Sequence, residues 1–425
     1  MGAPHRWKLL GTVILLIIVV VGVGVLFGAG VIQRLLFKPM IAPEQQIAIE
    51  ATPTFVCNLM DDRAVALGIR GADLGVSVLV GSRVWLLFGD TRGLGPGPPS
   101  GGMPTIGASS AMESQAPFNC FSFSWLASGG KFYQPLTSAR KVGVDESTVP
   151  AGAITLNGII YIYAMQVNQW DPLTQAHGVL FYRKEQSNGP FTELTRWPVD
   201  TLFVNTAPVA AELPDGTPVI FMATTAQYRH SPVYLAYVTP SQIGDVAGYR
   251  YLTGYDKAGS PLWSTVMAEA KPLPGLENVW VGELSFLYDA PLKSYLLMFK
   301  DYKTNSFAIY SSSSPYGPFE SPLTFFPCGT TASRPDWMES GWDGCYGGYM
   351  LPHSFGADGR DLYFDISLWN PYTTVLMSMK LTTSTRPTSQ FNLESSTGIS
   401  TAEAAFGKAV MAALEVPFPR FRLFP

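Results

Sequence analysis

Five short runs of β-branched, aromatic and aliphatic residues recur along the chain, each behind a turn signal. They are 84–88 (VWLLF), 160–164 (IYIYA), 218–222 (PVIFM), 294–299 (SYLLMF) and 361–365 (DLYFD). Four follow Gly81-Ser82, Asn157-Gly158, Asp215-Gly216 and Asp358-Gly359, and the fourth run in order follows the looser Asp289-Ala290-Pro291. Asn-Gly and Asp-Gly reach positive φ at little cost, so these are hairpin signals. The units return every 60 to 80 residues or so, the spacing of propeller blades. The pattern predicts an all-β, five-bladed β-propeller. Blade one takes strands at 74–80, 83–89 and 120–126, the last alternating Phe121, Phe123 and Trp125. Blade two takes 149–155, 159–167 and 179–184, and blade three 207–212, 218–224 and 233–238. Blade four takes 282–288, 294–300 and 307–312, and blade five 349–355, 361–368 and 374–381. A Gly-Pro-Phe signal at 189–191 and again at 317–319 follows a third strand each time, an internal repeat.

The two ends of the chain break this pattern. From Leu9 to Ile32 no residue is charged. Twenty-four such residues span about 36 Å as a helix, enough for a bilayer core of about 30 Å. The stretch is longer than the apolar region of a cleaved signal peptide and no A-x-A-like site follows, so an uncleaved anchor is favoured. The expected organisation is a cytoplasmic 1–8, a transmembrane helix 9–32, a stalk 33–50, the propeller 51–385 and a tail 386–425 with one short helix at 401–416. The basic flanks, Arg6 and Lys8 before the span and Arg34 and Lys38 after it, nearly balance and do not fix orientation by themselves.

Composition narrows the function classes. The 425 residues include 41 glycines and 34 prolines, with aromatic residues at 13% and charged ones at 14%, as expected of a loop-rich β fold with a large core. Net charge is −4; the first 40 residues carry four basic and no acidic groups, leaving −8 on the rest. An acidic domain is a poor polyanion binder, so no nucleic acid partner is expected. Cys57, Cys120, Cys328 and Cys345 lie after the apolar span and form no C-x-x-C pair. Two disulfides, with Cys328–Cys345 the favoured one, would put the domain outside the cytosol; free thiols are the alternative. No metal or cofactor is expected: the four histidines are scattered, and neither a phosphate-binding glycine loop, a Gly-x-Ser-x-Gly elbow nor a His-Glu-x-x-His is present.

The remaining candidate chemistry is carboxylate chemistry. Glycoside hydrolysis needs two carboxyl groups about the scissile bond, and in a propeller these belong at the starts of the innermost strands. Asp73 opens blade one and Asp90 ends its second strand; Glu146 opens blade two and Glu283 opens blade four. Glu283 stands between Gly282 and Leu284 at an apolar strand start, where burial is expensive without a partner. Turn capping and structural ion pairs are the competing roles for these acids. Asn205 and His353 open blades three and five as candidate hydroxyl ligands, and Trp280 and Trp369 are candidate sugar platforms alongside Trp170, Trp337 and Trp342.

The stretches Asp73-Leu74-Gly75-Val76-Ser77 and Phe88-Gly89-Asp90-Thr91, with Val281-Gly282-Glu283-Leu284-Ser285 and Ser367-Leu368-Trp369-Asn370-Pro371-Tyr372, resemble a bacterial family. That family was first catalogued as a domain of unknown function and later linked to endo-D-arabinanases of mycobacterial cell-wall arabinan. The resemblance runs over about residues 55–385. It implies a five-bladed glycosidase that cleaves D-arabinofuranosyl linkages with inversion, with Asp73 and Asp90 as the essential carboxylates. It does not say which is acid and which is base. The expected protein is a monomeric, single-pass cell-membrane hydrolase with an extracytoplasmic domain and a polysaccharide partner. A non-catalytic carbohydrate-binding propeller is the alternative.

Overall fold

The computed structural model describes residues 45–93, 109–136, 147–169, 175–199, 201–327, 343–352 and 360–385. The chain divides into a compact unit, Gln46–Ser384, and a unit of the two chain ends, of which only Gln45 and Thr385 are described. The expected helices at 9–32 and 401–416 lie outside the described residues. Among the described residues no helix is long and apolar enough to cross a membrane.

The compact unit is a ring of five antiparallel sheets. The inner strands are Leu74–Val80, Ser147–Leu156, Thr206–Glu212, Val281–Asp289 and Asp343–Met350. Each touches the next, and the last touches the first, so the ring is closed. Of the hairpin turns read from sequence, Asp358-Gly359 lies outside the described residues. The others join inner strands to their neighbours: Val80 faces Arg83 across Gly81-Ser82, and Leu156 faces Ile159 across Asn157-Gly158. Both residues of the latter turn take positive φ, 51° and 74°, as a tight type I′ connection requires. The Gly-Pro-Phe repeat introduces the outermost strands Thr192–Arg196 and Glu320–Pro327, with Phe191 and Phe319 buried as anchors.

The core is made of wedges between neighbouring blades. Blades two and three share Tyr163, Trp197, Phe203 and Tyr249, and blades four and five share Phe307, Phe325 and Phe364. Each such side chain contributes about 1.5–3 kcal/mol through burial. Because every strand packs against a blade on either side, its residues alternate between two apolar wedges, which is why the runs read as nearly continuous apolar sequence.

The structure corrects the expectation in three places, the inner strand of blade five being Asp343–Met350 rather than 349–355. The third strand of blade one is Ser110–Ser114, with Ser124–Trp125 outermost, rather than a single strand over 120–126. Asn119 folds that segment into a turn by accepting the amides of Phe121 and Ser122, and Phe121 is 91% exposed. The expected stalk 33–50 ends early, because Gln45–Asn58 is a strand: it pairs with Thr373–Thr385 as the outermost strand of blade five. The first described segment thus closes the ring on the last. Cys57, at the end of that strand, is disulfide-bonded to Cys120 of blade one. Closing a loop with a sequence separation of 63 contributes about 2–4 kcal/mol. Cys345 is disulfide-bonded as well; Cys328 lies outside the described residues.

Candidate active site

Two ladders hold Asp73 and Asp90 opposite each other. Leu74 pairs with Phe88 within blade one, and just beyond, Gly71 pairs with Arg92 in a short ribbon of Ile69–Gly71 and Arg92–Gly93. Both aspartates fall in the gap between these pairs. The Gly89 amide bonds the Asp73 carbonyl at 2.8 Å. A Cβ on Gly89 would stand 2.6 Å from Asp73 Oδ1, so only glycine leaves room for that carboxyl.

Blade five fixes the turn that presents Asp73. Leu74 and Gly75 have φ of 64° and 130°, a left-handed turn that costs a branched residue such as Leu74 about 1–3 kcal/mol unless neighbours impose it. Ser367 Oγ accepts the Leu74 amide at 2.7 Å, and the Thr374 hydroxyl donates to the Ala72 carbonyl at 2.9 Å. Gly75 packs on Asp365: a Cβ there would lie 2.2 Å from Asp365 Oδ2. Asp365 is itself fully buried, and burial holds its carboxyl well above the ordinary value.

The environments of the acids differ. Asp73 is 9% exposed, and its Oδ2 accepts the Tyr346 hydroxyl at 3.0 Å while Oδ1 makes no hydrogen bond of standard geometry. Burial first, then the charge of Asp90, push Asp73 up to about 7; the Tyr372 and Tyr346 hydroxyls oppose this, and Glu283 adds to it. Asp90 is half-buried and accepts the Ser147 hydroxyl at 2.6 Å. Asp73 therefore keeps its proton far above the pH at which an ordinary carboxyl releases it.

Glu283 is buried too, yet it is ion-paired. Arg229 donates to Oε1 at 2.8 Å, and the Tyr228 and Tyr302 hydroxyls approach the two oxygens at 3.3 Å each. Burial alone would raise this carboxyl, but the charge and hydrogen bond of Arg229 outweigh it and hold it below its ordinary value. Lys300 completes the cluster: its ammonium lies 4.6 Å from the Tyr302 ring and donates to the Cys345 carbonyl at 3.0 Å. Burial, then the charge of Arg229, bring it down to about 8, against the pull of Glu283.

Of the residues expected from sequence, Asp73, Asp90 and Glu283 thus share one electrostatic cluster, Asp73 and Glu283 at the starts of inner strands and Asp90 just after the second strand of blade one. Trp369 joins its rim, 55% exposed, 6.4 Å from Tyr346 and 5.9 Å from Tyr372, with Arg92 over both the Trp369 and Tyr372 rings. Trp280 precedes the Glu283 strand, 37% exposed, its ring 4.3 Å from the His230 ring at a tilt of 38° and 5.4 Å from the Lys303 ammonium. Asn205 is buried beside Thr225, its carbonyl accepting the Thr225 amide at 3.0 Å and its Nδ2 unbonded; no contact ties it to Asp73. Glu146 and His353 lie outside the described residues, as do Trp170, Trp337 and Trp342. Sequence reasoning missed Tyr346, Tyr372 and Arg229.

A cavity of about 1200 Å³ occupies the ring axis farther along. All five inner strands line it, through residues such as Val78, Ile154, Val209, Phe286 and Met350. It opens by Gly81 and Pro291, at the hairpin-turn ends of the strands, and Asp73, Asp90 and Glu283 are not in its wall. The chemistry stands at the other ends of the same strands.

Ring and cluster together define a five-bladed β-propeller with a buried carboxylate site at its axis. The chain belongs to the family described as Domain of unknown function (DUF4185), which matches residues 60–378. Among solved structures it is similar to a putative hydrolase from Bacteroides ovatus, with 16% identity over 74% of this chain and 87% of that one and a TM-score of 0.51. It is also similar to the arabinanase Arb43A of Bacillus subtilis, with 13% identity, coverage of 73% and 96%, and a TM-score of 0.40. The likeness to the first of these concerns the fold alone. No curated protein matches the chain.

Proposed function

We propose that the protein is a glycoside hydrolase that cleaves furanosyl linkages, internally, in D-arabinan of the mycobacterial cell-wall type. One observation carries this reading: a buried carboxyl raised to about 7 stands against a second, charged carboxylate. That is the division of labour glycoside hydrolysis requires. Asp73, protonated, gives its proton to the leaving glycosidic oxygen. Asp90, ionised and oriented by Ser147, takes a proton from water as that water attacks the anomeric carbon. The products are a freed hydroxyl and a sugar of inverted anomeric configuration; exchange with solvent returns the proton to Asp73. Glu283 cannot serve as the acid in this scheme, because Arg229 keeps it ionised. Trp369 and Tyr372 offer flat apolar faces to the sugar.

The protein is further proposed to be a monomer anchored by residues 9–32 with the propeller outside the cytosol, the compartment in which a Cys57–Cys120 disulfide persists. The test is incubation of the purified chain with arabinan, following oligosaccharide release and the product anomer by NMR. Release with inversion, lost in both D73N and D90N, is expected. Full activity in both variants would remove the assigned site, and binding without product would make the protein a lectin.

A further inference from the structure

The side chain of Arg92 is held in place without being chemically engaged. Arg92 follows Asp90 by two residues and pairs with Gly71 in the short ribbon beside it. Its guanidinium carbon lies 3.8 Å from the centre of the Tyr372 ring and 5.7 Å from that of Trp369. Gly71 admits Tyr372 against the ribbon: a Cβ there would stand 2.2 Å from the Tyr372 carbonyl oxygen and 3.1 Å from its Cδ1. A cation on an aromatic face is held by the charge distribution of the ring, which leaves the guanidinium N–H groups unspent. Among the described residues this side chain makes no hydrogen bond and no ion pair. The other basic groups about the acids are committed: Arg229 to Glu283, Lys300 to the Cys345 carbonyl and Lys303 to the Asn278 carbonyl. Arg92 is half-buried and its neighbour Trp369 is 55% exposed, so solvent reaches this rim.

Charge decides what can use those donors. On a domain of net charge −8, Arg63, Arg83, Arg196 and Arg360 are each ion-paired to a carboxylate, and Arg92 is not. A guanidinium takes a carboxylate or a phosphate through two parallel N–H···O bonds. One already pinned by aromatic rings loses little further freedom on binding. Asp90 repels an anion at the scissile bond itself, so the anion belongs on a neighbouring sugar unit.

We infer that Arg92 forms a subsite for an anionic substituent of the glycan, a carboxylate or a phosphate ester, on a sugar unit next to the one cleaved. This rests on the glycosidase reading above and extends it from neutral arabinan to acidic derivatives. The test compares arabinan oligosaccharides carrying succinyl half-esters with the same oligosaccharides acetylated to equal density, and with a phosphorylated set. Acetylation supplies the ester without the charge. The wild type is expected to favour a charged set by about 10–100-fold in kcat/KM, mostly through KM, and to lose that preference as salt is raised; the set that gains more identifies the anion. R92Q should erase the preference and R92K should retain part of it. If Arg92 only supports Tyr372, R92Q lowers the rates on all three sets alike and leaves their ratio unmoved, which overturns the inference, as does a wild type without preference. Should R92Q not fold, salt decides: a wild-type ratio that salt does not change removes the guanidinium from recognition. A wild type that cleaves none of the sets overturns the glycosidase reading, and Kd values for the same sets then test the subsite by the same ratio.

Discussion

Blades one and four place an acid near the start of the inner strand, and the two acids end in opposite states. Asp73 and Glu283 are both buried, so burial disfavours charge at both. The difference lies in the neighbour. Asp73 faces the anion Asp90 and holds its proton; Glu283 faces the cation Arg229 and loses its own. Near-equivalent positions in a repeated fold thus acquire different chemistry from one side chain supplied by a neighbouring strand or loop.

The hardest way to break this contrast is to remove the proton donor. D73N is expected to lower kcat by about 10²–10⁴-fold, measured as initial rates of oligosaccharide release, with KM little changed. Next is the counter-charge. R229M leaves Glu283 buried and unpaired and is expected to destabilise the fold by about 3–5 kcal/mol; E283Q added to R229M should recover much of that in urea melts.

The third test uses pH. The folded state holds the Asp73 proton up to about 7, whereas the unfolded chain releases it near 4. Its contribution to stability is therefore largest at low pH, falls as pH rises from about 4 to about 7, and is constant above. The loss amounts to about 4 kcal/mol. D73N, uncharged throughout, should gain in Tm over the wild type across that window and keep the gain at pH 8. Activity of the wild type should fall tenfold per pH unit above about 7, as the acid deprotonates. The smallest effect is expected of Y346F. It removes a hydrogen bond that favours ionised Asp73, so the alkaline limit of the rate should move upward, with about 0.5–1.5 kcal/mol lost in stability. A downward shift would reverse the assigned role of Tyr346.

The repeating framework was legible because hairpins are local: Asn157-Gly158 and Asp215-Gly216 specify their turns within two residues. Asp73, Asp90 and Glu283 were legible for a related reason, since polar residues interrupting apolar strand starts need an explanation. What was hidden depends on distance along the chain. The partners of Asp73 include Tyr346, 273 positions away, and the amide of Leu74 is held by Ser367, 293 away. Nothing near Arg229 in sequence announces that it will meet Glu283. Blade one misled for a different reason: its true third strand, Ser110–Ser114, is short and carries two serines and a glutamate, while the aromatic alternation at 121–125 belongs partly to an exposed turn.

The pairing of Gln45–Asn58 with Thr373–Thr385 has a consequence for biosynthesis. The earlier strand leaves the ribosome some 300 residues ahead of the edge it must join, so it waits through the synthesis of every intervening blade. That blade cannot seal until Thr373–Thr385 has been made, which makes its sheet the step most exposed to intermolecular strand exchange.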